Sequence, residues 1–311
     1  MILLEDNHLG SRLRLRAAGR TLSVEAPSTG VGYDRLMISF RGPAGKVYFK
    51  ETYATGQRIL CAPQLDVSGE YSLCVFAKPV GADFYQSVFG SMNGVPVLCN
   101  GKTFAFRASP YCRANQLFLQ ELPISNYFLS RCLKATDNIQ SKNRAIMDLA
   151  RVLGKGAIFP QTTMIKCYNW VAGNIAYDMD SLVNNRYMDD DLSSLAVLRT
   201  KRSVCSGYHN LLAALLRASG IPALGINCFS LGAGTTGWWY HGDNLDEETN
   251  HIITAAYVGQ RWHVMDVTWG SDLRYEHGRL CPQRGLGPSL SFCDSTIPFI
   301  SLSHRFDEYE I

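Results

Sequence analysis

The spacing of apolar residues changes near position 115, and the change splits the chain into parts that cannot share one architecture. Up to about residue 110, short apolar runs of strand length alternate with turn residues and no helical period appears. Leu36–Phe40, Lys46–Phe49, Tyr71–Phe76 and Pro96–Cys99 read as strands, punctuated by Gly42-Pro43, Ser68-Gly69 and Asn93-Gly94 turns. The run Arg12, Arg14 and Arg16, alternating with Leu13 and Leu15, reads as the wet face of one strand. Beyond the switch, Ile146, Leu149, Ala150 and Leu153 fall at helical spacing within 139–153, and Met164, Tyr168, Val171 and Ile175 do so within 164–177. A third helix is expected over 203–218, with Leu211, Leu212, Leu215 and Leu216 as its apolar stripe and Gly220-Ile221-Pro222 as its stop. Strands dominate from there to the end. Helices first and a sheet afterwards is an α+β order without βαβ alternation, so we expect a β-sandwich over 1–115 and a second domain over 116–311.

The segment 65–76, running Leu-Asp-Val-Ser-Gly-Glu-Tyr-Ser-Leu-Cys-Val-Phe, resembles the corner strand of immunoglobulin-like modules, which implies a sandwich of that type for the first domain.

Composition narrows the function classes. Lys and Arg number 30 against 27 Asp and Glu, a net charge of only +3, so nucleic acid and acidic membrane are not expected partners. The Met1-Ile-Leu-Leu4 start runs into Glu5 and Asp6 before any signal-peptide core can form. The longest uncharged stretch, 218–242, holds Pro222, Asn227 and six glycines and does not suit a membrane helix. The 10 cysteines show neither a Cys-x-x-Cys pair nor zinc spacing, and no Asn-x-Ser/Thr sequon occurs. A reduced, cytoplasmic setting is expected; disulfides, or secretion after removal of a leader, stay open as the alternatives.

Three residues carry the chemistry. Cys205 sits in the first turn of the 203–218 helix, where unpaired N–H groups and the positive end of the helix dipole favour a thiolate. Taken alone it is a weak sign in a chain with 10 cysteines, most of which serve as small apolar residues. His251 opens an apolar run that meets Arg261–Val267 across Gly259-Gln260, a pair suited to a two-residue hairpin turn. With those two residues as the loop, Ile253 lies opposite Asp266 and His251 opposite Thr268, so His251 and Asp266 become diagonal neighbours roughly 7–8 Å apart at the backbone. An ionised aspartate among Ile253, Ala255, Trp262 and Val264 demands a hydrogen-bonded partner, and His251 is the basic group in reach. His263 points to the other face and reads as structural. A thiol at a helix start, a histidine and an aspartate to fix its tautomer are the parts for nucleophilic acyl transfer.

These residues fall within Arg202-Ser-Val-Cys205-Ser-Gly-Tyr208, Gly220-Ile-Pro-Ala223, Asn250-His251 and Gln260-Arg-Trp-His-Val-Met-Asp266-Val-Thr-Trp-Gly270. Together they resemble the transglutaminase-like superfamily of papain-related cysteine enzymes over roughly 140–305. Asn174-Ile-Ala-Tyr-Asp178, Ser291-Phe-Cys293 and Ser303-His304 are similar to its bacterial members. The resemblance implies a papain-like core of helices packed on an antiparallel sheet or barrel. Cys205 would be nucleophile, His251 general base and then acid, and Asp266 orienter, with the Cys205 N–H in the oxyanion hole; apart from the resemblance, the residues themselves lead us to expect no cofactor or metal. Ser203 stands where the family usually has Gly, and Ile252-Ile253 replaces Ala-Trp, which bears on the groove wall rather than on the three residues themselves.

Tyr177 is a candidate substrate-binding residue, against a packing role. So are Trp238, Trp239 and Tyr240, against aromatics that close over the core. Gly232-Ala-Gly-Thr-Thr-Gly237 fits a dinucleotide fingerprint by letter, but those aromatics follow it rather than a helix. Asp178, Asp180 and Asp189–Asp191 lack the glycine and terminal Glu of a calcium loop and read as a solvated loop. His8, His209, His277 and His304 read as structural or exposed. The expected activity is hydrolysis of a peptide or protein substrate at amide bonds. The alternatives are a protein-glutamine acyltransferase or deamidase, and a scaffold that keeps the fold without catalysis.

Overall fold

The computed structural model describes residues 3–8, 11–18, 21–25, 33–42, 46–54, 58–61, 67–85, 93–100, 103–106, 109–231, 249–282, 287–295 and 297–311. The chain divides into two compact units, one of Met1–Cys112, Leu231–Asp243 and Thr296–Ser303, the other of Arg113–Ser230, Asn244–Ser295 and His304–Ile311. The fold is α+β, with antiparallel sheets in both units.

In the first unit the strands are β1 (Leu3–His8), β2 (Ser11–Ala18), β3 (Thr21–Glu25), β4 (Tyr33–Arg41), β5 (Val47–Ala54), β6 (Arg58–Cys61), β7 (Gly69–Pro79), β8 (Asn93–Cys99) and β9 (Phe104–Phe106). They form two antiparallel sheets, ordered β1-β2-β3-β6 and β5-β4-β7-β8-β9. The period of two that marks the sequence is the period of burial: Leu36, Ile38 and Phe40 of β4 face Ala77, Val75 and Leu73 of β7, all without solvent exposure. Asn93 and Gly94, expected as a turn, already belong to β8. The Tyr71 hydroxyl donates to the Val67 carbonyl at 2.6 Å, four residues upstream, and its ring meets Tyr48 edge-on. Arg12, Arg14 and Arg16 lie on β2 as expected for a strand; the direction of their side chains is outside the described residues.

The second unit runs α1 (Cys112–Glu121), α2 (Asn126–Arg131), α3 (Arg144–Gly154), α4 (Pro160–Asn174), β10 (Ala176–Asp178), α5 (Met179–Val183), α6 (Ser194–Thr200), β11 (Arg202–Ser203), α7 (Cys205–Ala218), β12 (Ala223–Ser230), β13 (His251–Val258), β14 (Arg261–Met265), α8 (Val267–Gly270), β15 (Leu273–Glu276) and β16 (Arg279–Pro282). After α9 (Ile297–Ile300) of the first unit it ends in β17 (His304–Glu310). One sheet is antiparallel in the order β14-β13-β12-β17; in the other, β11-β10-β15-β16, β10 pairs in parallel with both neighbours. Helix α3 begins at Arg144 rather than near 139 because Asn143 caps it, its Oδ1 accepting from the Ala145 N–H at 2.9 Å.

Helix α7 packs against α3, α4, α6 and β13. Its apolar stripe was expected on one side, yet every residue from Gly207 to Arg217 is buried. Burial all round suits its composition, since even Arg217 is satisfied by the carbonyls of Ala223 and Lys134. No described helix is long and apolar enough to cross a membrane, and the nine described cysteines are free thiols.

Candidate active site

Cys205 is the first residue of α7, preceded by Val204, whose side chain cannot cap the orphan N–H groups of that turn. Backbone positions are tight here: a Cβ on Gly207 would collide with Ser203 Oγ and crowd Val197, so the glycine lets Ser203 and Val197 approach this closely. The half-buried thiol receives hydrogen bonds from the Ile252 N–H and the Ser206 hydroxyl and is bonded to His251. Burial alone pushes the thiol up; the hydrogen bond and charge of His251, with those two donors, outweigh it and hold its pKa below the usual 9.0.

His251 and Asp266 meet as expected, His251 Nε2 lying 3.0 Å from Asp266 Oδ2. The route differs from the expected one. The hairpin keeps its register, with Val258 opposite Arg261 and Thr254 opposite Met265, and both loop residues have positive φ, Gly259 at 57° and Gln260 at 65°. The ladder stops at Met265, however, so Ile253 does not pair with Asp266 nor His251 with Thr268. Asp266 leaves the strand to cap α8, its Oδ1 accepting from the Trp269 N–H at 2.9 Å. Burial pushes the imidazole down, but the charge and hydrogen bond of Asp266, then the Cys205 sulfur, raise its pKa from 6.5 to about 10. The aspartate has no solvent exposure. Burial would raise it, yet the charge and bond of His251 and a second bond from His304 hold it well below the usual carboxylate range.

His304 was expected to be structural or exposed. It is fully buried, with Nε2 at 3.1 Å from the same Asp266 Oδ2 that binds His251. Trp269 lies edge-on to His304 at 4.8 Å between centroids and closer to parallel over His251 at 6.4 Å. His251, Asp266 and His304 are, among the described residues, the cluster able to hold a metal ion, with ligand atoms within 4.8 Å of one another. In the chain as described, those atoms serve each other as donors and acceptor.

Tyr177 lies on β10 opposite Ser203, two residues before Cys205. Burial, and next the negative charge of the Cys205 sulfur, push its phenol well above 10.0, which places it in the electrostatic field of the site. Trp238, Trp239, Tyr240 and the 232–237 glycine motif lie outside the described residues. The acidic segment is not simply a solvated loop. Asp178 is buried, caps α5 and pairs with Arg202 at 3.3 Å, while Asp180 accepts from the His277 and Gly278 N–H groups at 2.7 and 2.8 Å. His263 has its partners elsewhere, with Val258 O 2.9 Å from its Nε2 and Asp294 Oδ1 3.0 Å from its Nδ1. His209 is held by Thr254 Oγ1 at 2.9 Å.

Residues 149–267 match the sequence profile of the Transglutaminase-like superfamily, a span that includes Cys205, His251 and Asp266. Kyphoscoliosis peptidase of Mus musculus is 29% identical over 107 residues, 33% of this chain and 15% of the relative, and the Homo sapiens protein matches to the same extent. The matched segment is thus a small part of those relatives' length. Among solved structures, a candidate cysteine protease of Cytophaga hutchinsonii aligns at TM-score 0.36 and 14% identity over 99% of this chain and 91% of that one. Red sea bream transglutaminase aligns at 0.36 and 14% over 94% and 54%. The sequence similarity to a transglutaminase-like core thus covers residues 149–267 of this chain.

Proposed function

We propose that this transglutaminase-like core is a cysteine-dependent hydrolase of peptide or amide bonds, with Cys205 as nucleophile, His251 as base and acid, and Asp266 as orienter. The observation that carries it is the chain of hydrogen bonds from the thiol at a helix start through His251 to a buried carboxylate. Because Nε2 of His251 is engaged by Asp266, Nδ1 is the nitrogen left for sulfur, and a lowered thiol beside a raised imidazole favours a thiolate–imidazolium pair at rest.

In the first step the thiolate forms a C–S bond to the substrate carbonyl while the carbonyl π electrons move to oxygen, where the Cys205 N–H receives the charge. Collapse breaks the C–N bond, and the Nδ1 proton passes to the departing amine, leaving a thioester. Water then attacks as Nδ1 takes its proton, and the acid is released with the thiolate restored. Tyr177 is proposed to line the acyl side of the groove, and Trp238, Trp239 and Tyr240 are proposed from sequence as further substrate contacts. The peptidase name of the curated relatives supports water rather than an amine as acceptor.

A peptide library incubated with and without a primary alkylamine, read by mass spectrometry, tests this reading. Hydrolysed products are expected from the wild type in both samples, and their rate should fall at least about 10³-fold in Cys205→Ala. Amine-tagged glutamine in place of hydrolysis would reassign the core as an acyltransferase. Turnover that survives Cys205→Ala would overturn both.

A further inference from the structure

The carboxylate of Asp266 is saturated in an unusual way. Its Oδ1 accepts one backbone N–H, from Trp269, while Oδ2 accepts two imidazole Nε2 groups at nearly equal distances, 3.0 Å from His251 and 3.1 Å from His304. A single imidazole would serve a base and its orienter, so the second needs a reason. His304 is not on the hairpin. It opens β17, where it pairs with Ser230 of β12, and a fully buried Asn115 of α1 fixes the strand there: Asn115 Nδ2 donates to the His304 carbonyl at 2.9 Å and Asn115 Oδ1 accepts from the Phe306 N–H at 2.9 Å. His209 ends on the neutral Thr254 Oγ1, and His263 ends on Val258 O and the Asp294 carboxylate, whereas His304 Nε2 is aimed at the carboxylate that also holds His251.

We propose that His304 is a positioning residue, a second Nε2–H donor that locks Asp266 so that the carboxylate presents Oδ2 to His251. This rests on the thiol–imidazole reading above. A carboxylate held only by His251 and Trp269 can rotate about its Cβ–Cγ bond and weaken its hold on the imidazolium. With Oδ2 shared between two fixed rings and Oδ1 pinned to α8, rotation costs a charge-assisted bond whichever way it turns. An ionised Asp266 accepting at both nitrogens also fixes the tautomer: each ring carries its proton on Nε2, leaving Nδ1 of His251 for sulfur. The ionisable groups around this carboxylate are His251 of β13, His304 of β17, Cys205 of α7, Cys228 of β12, Tyr177 of β10 and, near its backbone carbonyl, Tyr168 of α4.

Two measurements test the assignment. In the wild-type protein with ¹⁵N-labelled histidine, the nitrogen shifts of His304 should show Nε2 protonated at neutral pH. An unprotonated Nε2 overturns the proposal without any substitution. Second, iodoacetamide labelling of Cys205 is followed against pH in His304→Leu and His304→Gln. Loss of the donor should slow labelling near pH 6 about tenfold and move the acid limb of the profile up by about one unit, and His304→Gln, which keeps an N–H at similar reach, should recover most of both. A residue that only packs would lower the thermal midpoint in both variants and leave the limb in place, which overturns the proposal. The wild type separates the two claims. Slow wild-type labelling that His251→Ala leaves unchanged defeats the thiol–imidazole reading and this proposal with it, while a fast wild type beside an unchanged His304→Leu defeats this proposal alone. Should His304→Leu fail to fold, the nitrogen shifts decide.

Discussion

An ionised carboxylate with no solvent exposure persists only where its surroundings replace the water it has lost, and Asp266 does so with two imidazole N–H groups and one backbone N–H. Removing it leaves three buried donors without an acceptor. Asp266→Ala should therefore lose about 3–5 kcal/mol of stability in urea titrations, beyond any loss of thiol reactivity. An effect under about 1 kcal/mol would mean that the group is not ionised in the fold. Sequence reasoning found this residue by its anomaly, an acid among apolar neighbours, and matched it with His251 correctly. It did not find His304. That residue lies 38 positions further on in a different strand, and no spacing rule links it to the hairpin. The signal that existed was the Ser303-His304 pair, which carried a resemblance but no derivable contact.

At the scale of elements, the legible parts were those set by local chemistry. The Gly259-Gln260 turn dictated the hairpin register, and the 3.6 period together with Gly220 dictated α7. Helix α8 was not legible because four residues are too few to show a period, and its cap at Asp266 ends β14 earlier than alternation suggests. The start of α7 offers a sharp test. In an ordinary helix Gly→Ala gains up to about 1 kcal/mol. At Gly207 the added methyl would meet Ser203 Oγ and Cβ and Val197 Cγ2, only the first of which can swing away. We expect Gly207→Ala to be destabilising by about 1–3 kcal/mol and to slow Cys205 labelling, because the strain falls on the turn that holds the thiol. A variant as stable as wild type, with unchanged labelling, would show that β11 yields freely. The Tyr71 hydroxyl bond to Val67 is of the same local kind, and with the two antiparallel sheets it supports an immunoglobulin-like arrangement, which we propose for the first unit.

For the whole molecule, proton linkage sets the pH range of greatest stability. The raised His251 takes stability away as pH rises from 6.5 towards about 10, while the lowered Cys205 adds it as pH rises towards 9.0, so the two slopes of the pair oppose each other. His209, buried and depressed to about 3, stays neutral in the fold where the unfolded histidine is charged, so stability falls as pH falls from 6.5 towards 3. Each group adds up to about 1.4 kcal/mol per pH unit. Above 9.0 the folded imidazolium keeps its proton until about 10, and the buried thiols Cys132 and Cys167, raised to about 11 and 12, keep theirs, so stability falls again. Denaturant midpoints should therefore be highest from about pH 6.5 to 9, and His209→Gln should make the acid limb shallower. A limb of unchanged slope in that variant would mean His209 is protonated in the fold. The division between strand-rich and helical segments was the most legible feature at this scale. The return of 304–311 to the second unit was not, since it depends on β17 joining β12 across the intervening chain.

The most direct test of a thiolate sustained by His251 is the rate of iodoacetamide labelling at Cys205, located by peptide mass spectrometry from about pH 4 to 8, in wild type and His251→Ala. The account predicts rapid labelling well below the ordinary thiol range in the wild type and its loss in the variant. Labelling no faster than that of the other cysteines, and indifferent to the substitution, would contradict it.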